Sequence, residues 1–420
     1  MSKRIQSVKG TRDLLPPQTA IWAGVEEVAR RVFGNYGYRE IRTPVLEETD
    51  LFVRSVGETT DIVGKEMYTF QDRKGRSLTL RPENTASVVR AFVQHGLQTE
   101  PLPVKLFYIG PQFRYERPQK GRYRQFHQIG AELIGDPGPY SDAELILMLV
   151  RFLTELGFDD LVVQLNTVGD DQSRAAYRQG LRDYLEPHRQ ELGSDSQRRL
   201  DTNPLRILDS KSPAERALLE GAPELVDFLT DESRDHFDTV QRILERNGLS
   251  YHVEPRLVRG LDYYTSTVFE IVSGGLGAQD AIVGGGRYDG LVEELGGAPL
   301  PAIGFAIGQD RLIEVLPDDF ARAVTSVAPI SVLTAGNVAV DEALAVAEIL
   351  RGAGLPVSPE LGSRSVKAAL RRADRSGSRF VVLIGDEEIG AGEVTVKDLR
   401  TAEQSRVPRE RLVDHLRGMR

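Results

Sequence analysis

The sequence predicts a mixed helix-and-strand protein of two to three domains that ends in an α/β unit. Three observations carry this reading. Before about residue 170, short strand-like segments alternate with amphipathic helices. Between about Asp170 and Pro255, charged residues and helical periodicity dominate, which predicts a helical insertion. After Leu316, a linker-like stretch from Pro317 to Pro329 precedes a regular alternation of strand and helix.

The elements follow in order. Ile21, Val25, Val28, Ala29, Val32 and Phe33 recur at helical spacing, so residues 17–37 read as a helix ended by Gly34 and Gly37. Tyr38 to Pro44 reads as a strand and Glu47 to Asp61 as a polar stretch. Met67 to Phe70 and Ser77 to Leu80 read as a hairpin around Asp72 to Gly75. A helix is predicted over Thr85 to His95, and strands over Leu106 to Ile109, Gln112 to Tyr115 and Arg124 to Ile134. Within the insertion, Ala214 to Leu229 and His236 to Asn247 read as helices. Strands return at Leu257 to Val272 and Ile282 to Gly286. In the last part, Ile330 to Leu333, Val357 to Pro359, Phe380 to Ile384 and Glu393 to Asp398 are strand-like. Asp341 to Ala353 and Ser365 to Arg375 are helix-like.

Composition narrows the function classes. The 420 residues are 40% apolar, enough for a large core, and contain no cysteine. Disulfides, thiolate metal sites and a cysteine nucleophile are excluded, which suits the reducing cytoplasm. The N-terminus MSKRIQSVKGTRDLL lacks a signal-peptide apolar stretch. The run around Leu145 to Val150, broken by Arg151, is too short to span a bilayer. A soluble, cytoplasmic protein is expected. The net charge of −9 argues against a globally basic nucleic-acid binder, but RNA binding needs only a local basic surface. The six histidines are scattered and no HExxH occurs, so no metal centre fixed by protein alone is expected.

Five constellations carry candidate chemistry. In the first, Phe113-Arg114-Tyr115-Glu116 and Arg124 to Glu132 flank a loop rich in Arg and Lys. Strand alternation puts Arg114 and Glu116 on one face, and Phe126, Gln128 and Glu132 on one face of the partner strand. A guanidinium can grip phosphate bidentately and a ring can stack on a base; an exposed hairpin with solvated charges is the alternative. His127 points away from Gln128 and reads as structural. In the second, Glu83 and Thr85 of Leu80-Arg81-Pro82-Glu83-Asn84-Thr85 could hold an ammonium group, or Asn84 or Thr85 could simply cap a helix. The third is Leu257 to Tyr264, with Arg259 before a glycine and two tyrosines, Tyr263 and Tyr264, that a regular strand would point to opposite faces. The fourth, Gly284-Gly285-Gly286-Arg287-Tyr288, lets backbone approach a ligand closely but has neither a dinucleotide nor a Walker spacing. In the fifth, Arg311 stands in the first turn of a helix after Ile303 to Gly308, where it could stack on adenine or face solvent.

Together these segments resemble the histidyl-tRNA synthetases, a class II aminoacyl-tRNA synthetase family, over essentially the whole chain. FRYERPQKGRYRQFHQIGAE resembles motif 2, GFAIGQDRL motif 3, and IRTPVLEETDLF motif 1, which in the family forms the dimer interface. LVRGLDYYTSTVFE and GGGRYDGLVEELGG resemble the two segments peculiar to the histidine-specific enzyme. The resemblance implies an α+β fold: an antiparallel six-stranded catalytic sheet flanked by helices, with a helical insertion at about 170–255 in a catalytic domain of residues 1–325. A C-terminal α/β anticodon-binding domain over 326–420 is implied as well. It implies ligation of L-histidine to tRNA(His) with ATP and Mg²⁺, by a homodimer. Arg114 and Arg259 would be the catalytic cations. Histidine would be bound by Glu83, Thr85, Arg114, Gln128, Glu132, Arg259, Tyr263, Tyr264 and Tyr288, and ATP by Arg114, Glu116, Phe126 and Arg311. The family's motif 3 usually has Glu before Arg, where Asp310 stands here. A catalytically silent relative, the regulatory subunit of ATP phosphoribosyltransferase, is the alternative; it lacks the anticodon domain and catalytic residues, whereas Arg114, Arg259 and Arg311 are all present here. Arg364, Lys367, Arg371 and Arg375 lie near one helix face and suit phosphate contacts, or a solvated face.

Overall fold

A computed structural model describes residues 5–57, 60, 62–119, 121–208, 210, 212–257, 263–273, 281–325, 329–335, 340–360 and 365–419. The chain divides into two compact units, Met1–Ala321 and Arg322–Arg420.

The first unit opens with α1 (Gln18–Asn35), β1 (Arg39–Glu40), β2 (Leu46–Glu48), α2 (Thr49–Val56), β3 (Tyr68–Gln71), β4 (Ser77–Leu80) and α3 (Thr85–Gln94). The hairpin β5 (Val104–Phe113) and β6 (Gln125–Ile134) follows, then α4 (Pro139–Glu155) and β7 (Leu161–Thr167). Next come α5 (Asp171–Leu185), α6 (Ser194–Thr202), α7 (Pro213–Leu219) and α8 (Asp231–Arg246). The unit continues through β8 (Tyr251–Val253), β9 (Thr265–Ser273), β10 (Ala281–Arg287), α9 (Leu291–Glu294), β11 (Ala302–Gly308) and α10 (Gln309–Glu314), and its boundary at Ala321 falls within α11 (Asp318–Thr325).

One sheet organises this unit, in the order β1-β5-β6-β11-β10-β9-β7-β8. The six inner strands are antiparallel, as the resemblance implied, and only the short edge strands β1 and β8 pair in parallel. Alternation of side chains divides its faces. Ile129, Ala131 and Leu133 of β6, with Ile303, Phe305 and Ile307 of β11, enter the main core. There they meet Val32 and Phe33 of α1, Leu149 and Phe152 of α4, and Val240 and Leu244 of α8. The intervening residues Gln128, Gly130, Glu132, Gly304 and Ala306 are left to the opposite face. Helices α5 to α7 bury Tyr177, Leu181, Leu200 and Leu219 in a core of their own, whereas α8 belongs to the main one.

The second unit contains β12 (Ile330–Thr334), α12 (Val340–Gly352), β13 (Val357–Glu360), α13 (Val366–Arg375), β14 (Phe380–Ile384), α14 (Asp386–Ala391), β15 (Glu393–Asp398), β16 (Gln404–Pro408) and α15 (Leu412–Gly418). Its sheet runs β13-β12-β14-β15-β16, parallel across the first three strands and antiparallel beyond. Val346 and Leu350 of α12 pack with Leu412 and Leu416 of α15, and Ala369 and Ala373 of α13 cover Leu333 and Val381 in a separate cluster.

Several expectations are corrected. Only Arg39–Glu40 of the Tyr38 to Pro44 segment is strand. The stretch Glu47 to Asp61 holds α2, whose Leu51, Phe52 and Val56 are buried beneath a charged exterior that masks their spacing. The strands at Leu106 to Ile109 and Gln112 to Tyr115 are one strand, because Gly110 and Pro111 stay in register with Gln128 and His127. The Ala214 to Leu229 helix stops at Leu219, before Gly221 and Pro223. The linker-like stretch contains α11.

Candidate active site

The uncovered face of the sheet forms a cavity of about 510 Å³, within the usual range for a small-molecule site. Glu132 of β6 is fully buried beneath it. Thr85 Oγ1 donates to one Glu132 oxygen at 2.8 Å and the Tyr288 hydroxyl donates to the other. Two neutral hydroxyls only partly offset the loss of water, so burial pushes the Glu132 carboxyl up to about 8. A carboxyl shifted that far is mostly protonated near pH 7.

Glu83 lines the same cavity. It accepts from the backbone N–H of Thr85 at 2.7 Å and of Ala86 at 3.0 Å, so Glu83 itself closes the N-terminus of α3. Neither Asn84 nor Thr85 is the side-chain cap: Asn84 accepts from Thr43 Oγ1 at 2.9 Å, and the Thr85 hydroxyl turns to Glu132. Burial raises the Glu83 pKa as well, against the pull of those two N–H groups. Gln128 is buried nearby, and its Oε1 has no hydrogen-bond partner in the structure, an acceptor free for a ligand.

Tyr263 and Tyr264 do not diverge to opposite faces. They precede β9, their rings lie 4.8 Å apart, and both line the cavity. Tyr263 also meets Tyr288 edge-on at 5.5 Å. The neighbouring glycines make room for these side chains rather than for a ligand alone. A Cβ on Gly286 would stand 2.8 Å from Tyr264 Cδ1, and one on Gly304 would stand 1.7 Å from Glu132 Oε2.

Cations gather at another part of the wall. Arg114 and Glu116 lie beyond the end of β5 at Phe113, so strand alternation does not set their direction; they line the cavity with Nη1 3.9 Å from Glu116 Oε1. Arg114 Nε donates to Pro82 O at 2.9 Å, which aims the guanidinium, and its Cζ lies 5.3 Å from the centre of the Phe126 ring. Arg122 approaches Glu116 at 3.6 Å, and Arg122, Phe126 and Arg311 all line the cavity. The arrangement places cations, a flat ring and four tyrosines, Tyr123, Tyr263, Tyr264 and Tyr288, around one chamber, with the Glu132 carboxyl buried beneath it. Arg259 lies outside the described residues.

His127 is not a cavity residue; it packs edge-on against Trp22 at 5.0 Å, as its strand position predicts. Asp310 faces away from the cavity chemistry: it accepts from Arg12 Nη2 at 2.8 Å and from the His127 backbone N–H at 2.9 Å. Sequence reasoning missed a buried ion cluster. Arg287, 1% exposed, donates through Nε to Asp142 at 3.1 Å and through Nη1 to Asp136 O at 2.9 Å. His236 Nε2 lies 2.9 Å from the same Asp142. This cluster anchors the end of β10 one residue before Tyr288. Its signals in the sequence are Arg287 after the three glycines and Asp142, a charge among the apolar positions of α4.

A family model described as Histidyl-tRNA synthetase matches residues 10–312, and one described as Anticodon binding domain matches 329–419. A histidine–tRNA ligase of Halorhodospira halophila is 52% identical over 421 residues, covering 100% of this chain and 99% of that protein. A histidine–tRNA ligase of Thiobacillus denitrificans is 52% identical over 419 residues, covering 99% and 100% respectively. The crystal structure of apo histidyl-tRNA synthetase from S. aureus superposes with a TM-score of 0.81 at 36% identity, covering 98% of this chain and 99% of that one.

Proposed function

This chain belongs to the histidyl-tRNA synthetase family, and from that premise we propose how its cavity carries out the reaction. The protein is a histidine–tRNA ligase: it activates L-histidine with ATP to histidyl-adenylate and transfers histidine to the 3′ end of tRNA(His). The observation that carries the assignment of roles is the buried Glu132, held by Thr85 and Tyr288, which line the same chamber as Arg114 and Phe126.

Glu132 and Tyr264 take the two imidazole nitrogens, with Tyr263 and Tyr288 as walls. Glu83, Gln128 and the Thr85 oxygen accept from the α-ammonium. Arg114 directs the histidine carboxylate and the ATP α-phosphate toward each other. Phe126 stacks on adenine, and Glu116 and Arg311 bind the nucleotide. A histidine carboxylate oxygen attacks the α-phosphorus, the bond to the β-phosphate oxygen breaks, and pyrophosphate leaves. No protein nucleophile is needed. Negative charge grows on the phosphoryl oxygens, so fixed cations lower the barrier, and Arg114 and Arg259 are assigned that role. A ribose hydroxyl of the terminal adenosine then attacks the adenylate carbonyl and releases AMP.

Mg²⁺ accompanies the nucleotide. Such an ion is bound chiefly through phosphates with one or two carboxylates. Glu116 and Glu270, two of the carboxylates that line the cavity, would supply that contact, and the ion would offset phosphate charge. We further assign a homodimer, supported by Leu46 of the motif 1 segment and Phe70, 42% and 46% exposed on the small sheet of β2, β4 and β3. A cytoplasmic location accords with the absence of cysteine. No helix among the described residues is long and apolar enough to cross a membrane.

ATP–pyrophosphate exchange with each of the twenty amino acids tests the reading. Exchange with histidine alone is expected. Exchange with a different amino acid and none with histidine would overturn it, and no exchange at all would favour a silent regulatory relative.

A further inference from the structure

We infer that the N-terminal segment Gly10-Thr11-Arg12 is a clasp that positions the ATP half of the active site, with Arg12 as its positioning residue. The inference rests on the ligase reading above and adds a segment to which that reading gives no role.

The clasp joins three walls of the cavity that are remote in sequence. Arg12 Nη2 donates to Asp310 Oδ1 at 2.8 Å, and Asp310 Oδ2 accepts from the backbone N–H of His127 at 2.9 Å. Asp310 immediately precedes Arg311, and His127 lies between Phe126 and Gln128; Arg311, Phe126 and Gln128 all line the cavity. The Arg12 guanidinium also lies 4.2 Å from the centre of the Tyr123 ring, which lines the cavity from the β5–β6 loop. One side chain thus ties α10, β6 and that loop together.

The backbone beside it grips the same loop. Arg124 N donates to Gly10 O at 2.7 Å, and Arg114 N donates to Arg124 O at 3.0 Å, so the chain runs from Gly10 to the phosphate-facing Arg114 in two hydrogen bonds. Gly10 has φ +89°, and a Cβ there would stand 2.7 Å from Arg124 Cγ and Cδ. Only glycine allows this approach without displacement. Asp310, one carbon shorter than the family's usual Glu, therefore works as a structural junction between Arg12 and β6.

Arg12 is partly exposed and touches no cavity space itself, so its effect must pass through Asp310 and Tyr123. Binding walls that shift by an ångström lose productive geometry at large cost. The clasp holds chiefly the ATP side. Of the histidine contacts it reaches only Gln128 and Arg114, which the β5–β6 pairing and the bond to Pro82 O also hold. Glu132, Thr85 and Tyr288 are held by other bonds. Loss of Arg12 should therefore separate the two substrates kinetically.

The test is histidine-dependent ATP–pyrophosphate exchange by full-length wild type, Arg12→Ala and Arg12→Lys, with thermal melts of each. The KM for ATP should rise about tenfold in Arg12→Ala, a tenth of the loss that gross misplacement can cause, with the KM for histidine nearly unchanged. Arg12→Lys should recover part of the loss, because an ammonium keeps the ion pair but not the flat face over Tyr123. If Arg12→Ala does not fold, Arg12→Lys alone must show the same split. Equal rises in both KM values, or a lower melting temperature with unchanged KM values, would overturn the clasp. A wild-type protein without histidine-dependent exchange would overturn the ligase reading, and the clasp with it.

Discussion

At the scale of single residues, Glu132 decides what the site can recognise. Its acidity was not legible in the sequence, where Glu132 was only one of several polar residues on a strand face. It arises from burial, which no local pattern reports. Because its folded pKa stands near 8, above the 4.5 of an exposed glutamate, the folded state holds a proton that the unfolded chain releases. That stabilising contribution is complete below pH 4.5, falls as pH rises from 4.5, and is gone by about pH 8. Glu132→Gln mimics the neutral acid and should melt with a weaker pH dependence than wild type across this window. Parallel melting curves for the two proteins would show that Glu132 is already ionised. The same substitution exchanges a carboxyl for a weaker amide partner at the imidazole and should lower kcat/KM for histidine by about 3–10-fold. Glu83 gives the complementary lesson. The sequence marked Glu83 for an ammonium and its neighbours for a helix cap, and the structure joins both duties in one carboxylate that still faces the cavity.

At the scale of elements, alternation was the strongest signal. It correctly grouped Phe126, Gln128 and Glu132, because β6 is regular from end to end. It misdirected the tyrosine pair, which precedes β9, and it paired Arg114 with Glu116, which do line one cavity although both stand beyond the end of β5. Helix α2 escaped notice because charge covers its exposed face, and β7 because the apolar run Leu161-Val162-Val163, with Val162 exposed, blurs its alternation. Cross-strand register explains the glycines that looked like a ligand cradle. Gly304 of β11 is the register partner of Glu132, and Gly286 of β10 is the register partner of Gly304. Opposed residues share a face, so any side chain at Gly304 would take the space of the Glu132 carboxyl. Gly304→Ala should therefore raise the KM for histidine at least tenfold while sparing ATP, and overpacking should cost about 1–3 kcal/mol of stability. Chemical denaturation together with exchange kinetics would check both effects. An unchanged KM for histidine would mean that Glu132 can move aside without consequence.

At the scale of the whole molecule, the two units divide the labour between chemistry and selection of tRNA. Every described cavity residue assigned to histidine or ATP lies in Met1–Ala321, and the anticodon-binding match begins at residue 329. The α/β character of the second unit was legible because its apolar strands and helices are well separated. Strand β16 and helix α15, which complete it, were missed: only Val407 of β16 is buried, and α15 is only seven residues long. Each unit has its own buried cluster, led by Phe33 and Phe152 in the first and by Val382 and Leu350 in the second. Removal of the second should therefore leave the first folded. The cut belongs after Thr325, because Phe320 of α11 packs against the core of the first unit. Such a shortened protein should keep histidine-dependent exchange and lose most charging of tRNA. What charging remains should be indifferent to the anticodon. In the full-length protein, Lys367, Arg371 and Arg375 are exposed along α13, and phosphate contacts from this stripe would make tRNA affinity fall as salt rises. Replacing all three with Gln should flatten that salt dependence without changing exchange. If the folded, shortened protein still charges tRNA with full efficiency and full discrimination between anticodons, recognition must reside in the first unit, and the stripe is only a solvated helix face.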